Sequence, residues 1–336
     1  MTRSNRILII KLGALGDVIL ALPHIRQILA SHPDADITLL TAPEYADVVA
    51  GEQGMAVAAF RRRGFLEMSR LLVWLRRQRF AVVYDLQGSL RSRIMTRITG
   101  AGRRIGRRPD RAYTHAPDAA GNTVHAFDTL NRLLQCAGIS PVTPGLKLEA
   151  GEAARQRVAE WLQAHAAGDS RLVLVHAGSS ERWLSKRWDE QHYAELATQL
   201  EARECTVVWV GGEPDRALNR RLSSLAGLDA TGAFDFRQLI ALGEQADFAL
   251  VSDSGPMHIL AAAGLPVYAF FGPTDWRRSH APGQQDRVLT HPVPCSPCHL
   301  PVCPPEKQHR CLDAISATDV IARLETDGLL QAGDLL

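Results

Sequence analysis

The stretch Ser252-Asp253-Ser254-Gly255-Pro256-Met257-His258 follows the apolar run Phe248–Val251 and precedes a small-residue segment that stops at Gly264. Asp253 or Ser254 suits a helix N-cap, and Pro256 suits the first turn, where a missing N–H costs nothing. A second apolar run, Val267–Phe271, comes next. The pattern is strand, polar turn, helix, strand. The helix start, at Ser254, Gly255 and Pro256, then offers backbone N–H groups and a positive dipole end to an anion such as phosphate. A capped core helix with no ligand fits the same residues. His258 falls inside the helix, where packing or a local hydrogen bond is the plainer role.

A unit of the same design opens the chain. Arg6–Ile10 reads as a buried strand, Lys11-Leu12-Gly13-Ala14-Leu15-Gly16-Asp17 as a glycine-bearing turn, and the residues from Asp17 to Ala30 as a helix with Val18, Leu22, Ile25 and Leu29 on one stripe. The turn is neither G-x-G-x-x-G nor a P-loop, which would end in Lys-Ser/Thr. Asp17, at the helix start, is by itself a capping carboxylate. Two further turns carry chemistry. His176 to Trp188 supplies the hydroxyls of Ser179 and Ser180 and the cations Lys186 and Arg187, and Val207–Val210 runs into Gly211, Gly212 and the acid Glu213. A carboxylate at such a strand end can accept both hydroxyls of a ribose.

These turns need a scaffold. The predicted strands lie at 6–10, 37–41, 56–60, 80–84, 171–175, 205–210, 247–251 and 267–271. Helices are predicted near 17–31, 43–50, 65–78, 88–99, 123–137, 152–166, 189–203, 214–226, 235–243, 256–263 and 318–331. Alternation of this kind predicts parallel sheets covered by helices, twice over. A chain of 336 residues has the length for two domains, and the Pro- and Gly-bearing stretch 139–151 divides it into 1–150 and 151–336, with the last helix able to pack back on the first domain. The turns at 11–17, 85–89, 176–188, 211–214 and 252–255 all fall at carboxyl ends of strands, where such sheets bind ligands.

The net charge is only +2, but residues 61–111 hold fifteen arginines against Glu67, Asp85 and Asp110, so this segment is +12 and the remainder −10. Arginine suits bidentate capture of carboxylates and phosphates. Solvated helix faces are the plain alternative. Few aromatics interleave with the arginines and no nucleic-acid motif appears, so no nucleic-acid partner is expected. No run of 18 apolar residues and no leader-like segment occurs, and a cytoplasmic chain is expected.

Together the motifs resemble glycosyltransferase family 9, the bacterial lipopolysaccharide heptosyltransferases. The resemblance rests on Lys11 to Val18 with Pro23, on Asp85-Leu86-Gln87-Gly88-Ser89, on Ser252 to His258, and on Phe271-Gly272-Pro273-Thr274. It spans nearly the whole chain in order. It implies the α/β GT-B fold, two Rossmann-like domains whose parallel sheets face a central cleft. The implied activity is inverting transfer of heptose from ADP-L-glycero-D-manno-heptose to the Kdo or heptose inner core, with no cofactor and no catalytic metal.

By resemblance, Ser179, Ser180 and Lys186 hold the donor diphosphate together with Asp253, Ser254, Gly255, Pro256 and His258, and Glu213 takes the ribose. Asp17 is the base that receives the acceptor proton. An aspartate is ordinarily a weak base near neutrality, so the proton would leave late, as oxygen bonds to carbon. Lys186 assists departure of the diphosphate, with Arg187 able to exchange roles. Gly16, Arg61, Arg62, Arg63 and Gln87 belong to the side of the anionic, lipid A-Kdo-type acceptor. A monomer touching the cytoplasmic face of the inner membrane is expected. A nucleotide-sugar 2-epimerase on the same architecture, or a non-catalytic module for an anionic surface or nucleic acid, are the competing functions.

Cys136 and Cys205 are isolated. Cys295, Cys298, Cys303 and Cys311 form C-x2-C-x4-C-x7-C. In a cytoplasmic chain that spacing suggests a structural zinc or iron site, with packed reduced thiols or an oxidised pair left open.

Overall fold

Arg6–Ile10 is aliphatic at every position after Arg6, the pattern of a strand covered on both faces. In the computed structural model, which describes residues 5–61, 64–119, 121, 124–165, 167 and 170–331, this run is β1, and Ile7 to Ile10 are buried. The chain divides into two units, Met1–Leu146 and Lys147–Leu336.

The first unit runs β1 (Arg6–Ile10), α1 (Leu15–Ala30), β2 (Asp36–Thr41), α2 (Ala46–Val49), β3 (Ala56–Ala59), α3 (Phe65–Arg77), β4 (Val82–Asp85), α4 (Leu90–Thr99), β5 (Arg103–Ile105) and α5 (Ala126–Cys136). Its strands lie in the order β3-β2-β1-β4-β5, all parallel. β5 is absent from the sequence expectation because its arginines hide a strand of three residues. The helix predicted from 17 starts at Leu15, so Asp17 sits inside the first turn rather than before it. The helix predicted from 88 starts at Leu90, because Ser89 Oγ caps it by accepting from Ser92 N–H at 3.1 Å.

The second unit runs α6 (Glu152–Ala164), β6 (Arg171–His176), α7 (Glu190–Glu201), β7 (Cys205–Trp209), α8 (Arg216–Ser223), β8 (Leu228–Asp229), α9 (Phe236–Gln245), β9 (Phe248–Ser252), α10 (Gly255–Ala262), β10 (Val267–Phe270), α11 (Trp276–Ser279), β11 (Val288–Leu289), α12 (Arg310–Asp313) and α13 (Ala317–Thr326). The strand order is β11-β10-β9-β6-β7-β8, again parallel. The last helix packs on α7 of its own unit. Trp188 supports that seat: its ring stacks on Phe270 at 4.4 Å, and its indole N–H donates to Ile315 O at 2.9 Å.

Strand order matters for function. In the first sheet the chain moves outward one way from β1 through β2 to β3, and the other way from β4 to β5. In the second it moves one way from β6 through β7 to β8, and the other way from β9 through β10 to β11. Each sheet therefore has a topological switch point, between β1 and β4 and between β6 and β9, where the strand ends open a crevice.

Candidate active site

The first switch point joins the turns after β1 and β4. The Leu12 N–H donates to Gln87 Oε1 at 2.9 Å, so Gln87 stitches one turn to the other. Asp85, fully buried at the end of β4, accepts from the N–H groups of Gln87 at 3.0 Å and Gly88 at 2.9 Å. Its other oxygen accepts from Tyr113 Oη at 2.7 Å. Burial pushes the Asp85 carboxyl above the usual range, and these donors oppose that shift. Gly13, at φ +126°, is required: a Cβ there would lie 2.3 Å from the Tyr45 ring.

Asp17 is exposed, and its carboxylate accepts from Ala14 N–H at 3.3 Å, one turn back along the helix start. Gly16 beside it is buried. Lys11, in the same turn, carries no role that its residue type and position in the sequence reveal. It is 2 % exposed, and burial drives its ammonium from the ordinary 10.5 down to about 8, opposed by attraction to Asp17 and Asp85 and helped by repulsion from Arg107. Arg107 is drawn to the same two carboxylates and donates to Gln87 O at 3.4 Å. Arg61 is exposed beyond the end of β3. Arg62 and Arg63 lie outside the described residues.

At the second switch point His176 ends β6. Its Nδ1 lies 3.2 Å from Ser254 Oγ, and its Nε2 lies 3.6 Å from Asp215 Oδ2. Ser252 Oγ donates to Gly178 O. Asp215, which the sequence reading passed over, is buried against Gly178 and Gly211; a Cβ on Gly178 would fall 1.9 Å from its Oδ1. Burial pushes the Asp215 carboxyl up, but His176, the Gly212 N–H and Arg187 together hold it below the usual range. The signal for it was the turn Gly211-Gly212-Glu213-Pro214-Asp215, in which Asp215 accepts from Gly212 N–H at 3.0 Å.

Lys186 is seated by Asp253. Its ammonium donates to Asp253 Oδ2 at 2.7 Å and to Asp253 O at 3.2 Å, and it lies 5.2 Å from the centre of the Trp183 ring. Thr274 Oγ1 donates to the same carboxylate oxygen at 2.6 Å. Asp253 is thus occupied, and it is not the helix cap. Ser254 holds the N-cap position of α10, but its hydroxyl turns to His176 and to Ser252 O at 3.1 Å instead of bonding the helix. Gly255 and Pro256 form the first turn, and His258 is buried in the next. Ser179 Oγ donates to Trp183 O at 2.8 Å and accepts from Arg187 Nε at 3.3 Å, which assigns Arg187 to the loop's own shape. Ser180 is exposed. Glu213 is exposed at the end of the β7 turn, with both oxygens engaged by Arg216 at 2.7 to 2.9 Å.

The four clustered cysteines line one small cavity of about 10 Å³ together with Ser185 and His309. All are free thiols. Burial, and then the neighbouring Cys303, Cys295 and Cys298, push the Cys311 thiol up to about 11. Among the described residues no group of three His, Cys, Asp or Glu side chains is arranged to hold a metal ion.

The profile of glycosyltransferase family 9 (heptosyltransferase) matches residues 68–309. Lipopolysaccharide heptosyltransferase 1 of Pseudomonas aeruginosa is 28% identical over 92% of this chain and 91% of its own. A family 9 glycosyltransferase from Veillonella parvula superposes with a TM-score of 0.80 at 23% identity, covering 96% of each chain. The Escherichia coli ADP-heptose lipopolysaccharide heptosyltransferase II superposes at 0.75 with 20% identity, over 96% of this chain and 98% of that one. These structures share the two-sheet GT-B fold, as the motifs led one to expect.

The buried Lys11 gives a test of the first cluster. Between pH 8 and 10.5 the unfolded chain holds the Lys11 proton and the folded chain does not, so stability should rise with pH across that window. Below pH 8 the folded state carries the cost of a buried ammonium, roughly 3 kcal/mol. Lys11→Met should be more stable than wild type to urea at pH 7, and the difference should shrink towards pH 10.5. An equal difference at both pH values would overturn this account. A second test concerns the thiols: iodoacetamide at pH 8 should label Cys311 more slowly than Cys298, because only the thiolate reacts. Equal rates, read by mass spectrometry, would contradict the burial argument.

Proposed function

Because the chain belongs to glycosyltransferase family 9, the heptosyltransferases, we propose that it moves a heptose from an ADP-heptose donor to the inner core of lipopolysaccharide, with inversion. The observation that carries this reading is the Lys186–Asp253 pair beside the start of α10, a helix whose N-cap side chain does not bond its own first turn. A nucleoside diphosphate leaving group develops negative charge, and a fixed ammonium with a helix N-terminus is the arrangement that stabilises it. The relatives' names carry the donor and acceptor classes.

In this reading the second unit holds the donor. Lys186 and the N–H of Gly255 meet the diphosphate, Ser179 and Ser180 border it, and His258 supports the helix from inside. Glu213 takes the ribose hydroxyls, and Arg216 keeps its carboxylate ionised. The first unit holds the acceptor, with Asp17 as base and Gly16, Gln87 and Arg61 around it. Arg62 and Arg63 extend the same cationic run. The acceptor oxygen bonds to the anomeric carbon, the bond from that carbon to the phosphate oxygen breaks, ADP leaves with the electron pair, and the acceptor proton passes to Asp17. Lys11 and Arg107 supply positive charge near the carboxylates of that turn. The membrane-anchored acceptor places the enzyme against the inner membrane.

Incubation with ADP-heptose and a panel of truncated acceptors, read by mass spectrometry, tests the whole reading. Product with no acceptor in the panel would sink it. Asp17→Asn keeps the size of the side chain and the contact with Ala14 N–H. Turnover should fall roughly 10²–10⁴-fold, with ADP affinity and melting temperature near wild type. Normal turnover in a folded variant would remove Asp17 from the mechanism. On the donor side, Glu213→Ala should weaken ADP binding about tenfold through lost charge-assisted hydrogen bonds. Unchanged affinity by calorimetry would show that the ribose lies elsewhere.

A further inference from the structure

Two neighbouring helices of the first unit, α3 and α4, carry an outward face that the turnover scheme does not use. On α3 the residues Leu66, Arg70, Val73 and Arg77 follow each other at steps of four, three and four and so share one side of the helix. All four are exposed, Leu66 at 70% and Val73 at 50%. On α4 the residues Leu90, Ile94 and Arg97 do the same, with Leu90 at 68% and Ile94 at 48%. A groove of about 630 Å³ lies between the helices. Met68, Leu72, Leu90, Ile94 and Met95 line it, and it reaches Gln87 in the acceptor-side turn.

Isolated exposed leucines need no explanation. Four large apolar side chains exposed on two helices that pack against each other do, because a folded surface rarely gathers that many on neighbouring elements without a use. The cations are interleaved with them. Among the described residues Arg70 pairs with Glu67 alone, at 3.3 Å and open to solvent, a pair of little energetic weight. The surrounding segment has three acids against fifteen arginines. A second copy of this face would set arginines against arginines. An anionic bilayer is complementary on both counts: leucine and isoleucine enter the boundary between headgroups and acyl chains, and guanidiniums meet the lipid phosphates.

We infer that the α3–α4 face is the surface by which this protein docks on an anionic lipid bilayer, with Leu66, Val73, Leu90 and Ile94 inserting and Arg70, Arg77 and Arg97 pairing with headgroup phosphates. The inference deepens the reading of a lipid-anchored acceptor and rests on it for its purpose. The groove then opens at the membrane and ends at the turn that receives the acceptor, so a sugar held near Gln87 can remain attached to a lipid in the bilayer.

Vesicle flotation tests this without any acceptor present, so its outcome is separable from that of the transfer assay. The probes are vesicles of phosphatidylcholine alone and vesicles containing one third phosphatidylglycerol, at low salt. The full chain should float with the anionic vesicles and not with the neutral ones. Arg70→Gln, Arg77→Gln and Arg97→Gln combined should weaken that binding about 100-fold, following roughly fivefold per surface arginine. Leu66→Ser with Ile94→Ser should leave binding that high salt removes, where the wild type retains part of its own. Far-UV circular dichroism and a melting temperature near wild type check that the substituted first unit of each variant is folded, and ADP binding by calorimetry checks the second. Equal flotation with both vesicle types, no flotation, or wild-type flotation by ADP-binding variants would overturn the inference. So would a wild-type dimer in light scattering that the serine variants dissolve while vesicle binding stays as it was.

Discussion

Each unit is built around a place where two adjacent parallel strands send the chain in opposite directions, and the polar groups left there must be satisfied away from water. A buried polar group without a partner costs more than a typical hydrogen bond returns. The first switch point meets this demand with Asp85, whose two oxygens take two backbone N–H groups and the Tyr113 hydroxyl. The second meets it in part with His176, set between Ser254 and Asp215, and leaves Asp215 Oδ1 buried with no hydrogen-bond partner among the described residues. Neither Asp85 nor His176 has a free hand for chemistry. Their work is to hold turns rigid so that the neighbours, Asp17 in one and Lys186 in the other, project from a fixed backbone.

That division explains what could be read from the sequence and what could not. The periodicity of apolar runs located the main strands and helices to within a few residues, because buried parallel strands are apolar throughout and their helices carry an apolar stripe. The turns at strand ends followed from alternation alone. The switch points did not, since they depend on strand order, and order is set by contacts distant in sequence. Asp215 was missed for the same reason: only the fold brings it against Gly178 and His176. Glu213, two residues earlier, looked equally acidic and proved exposed. Lys11 was visible but silent, because burial of a lysine after a strand cannot be inferred from its type, and lysines are almost never buried.

The arginine segment also divides on inspection. Read as a charge run it is a single anionic-ligand surface. In the structure part of it is architecture: Arg103 donates to Ala137 O at 2.6 Å, Arg104 to Ala112 O at 2.8 Å, and Arg76 to Thr99 O at 3.4 Å, while Arg93 pairs with Asp110. Guanidinium groups suit this use, since their forked donors reach carbonyls that no backbone N–H serves. The exposed remainder includes Arg61, Arg70, Arg77 and Arg97, before β4 or on the outer sides of α3 and α4, and Arg108 and Arg111 beyond β5. Counting charge along the chain overstates the binding surface because it cannot separate these two populations.

Lys186 shows how a structural pair can still be available to a ligand. An ammonium has three donors. Asp253 takes two of them, through its carboxylate at 2.7 Å and its carbonyl at 3.2 Å, which fixes the nitrogen beside the N-terminus of α10. Burying an ion pair rarely adds much net stability, and removing one partner leaves the other uncompensated. Asp253 is better understood as the group that orients the cation, and Thr274 as the group that orients Asp253. The chain of contacts runs from the end of β10 through Thr274 and Asp253 to Lys186, so the position of the third donor is set by the second sheet itself. In the proposed reading, a diphosphate arriving there would find a charge already in place, with little ordering of a long flexible side chain left to oppose its binding.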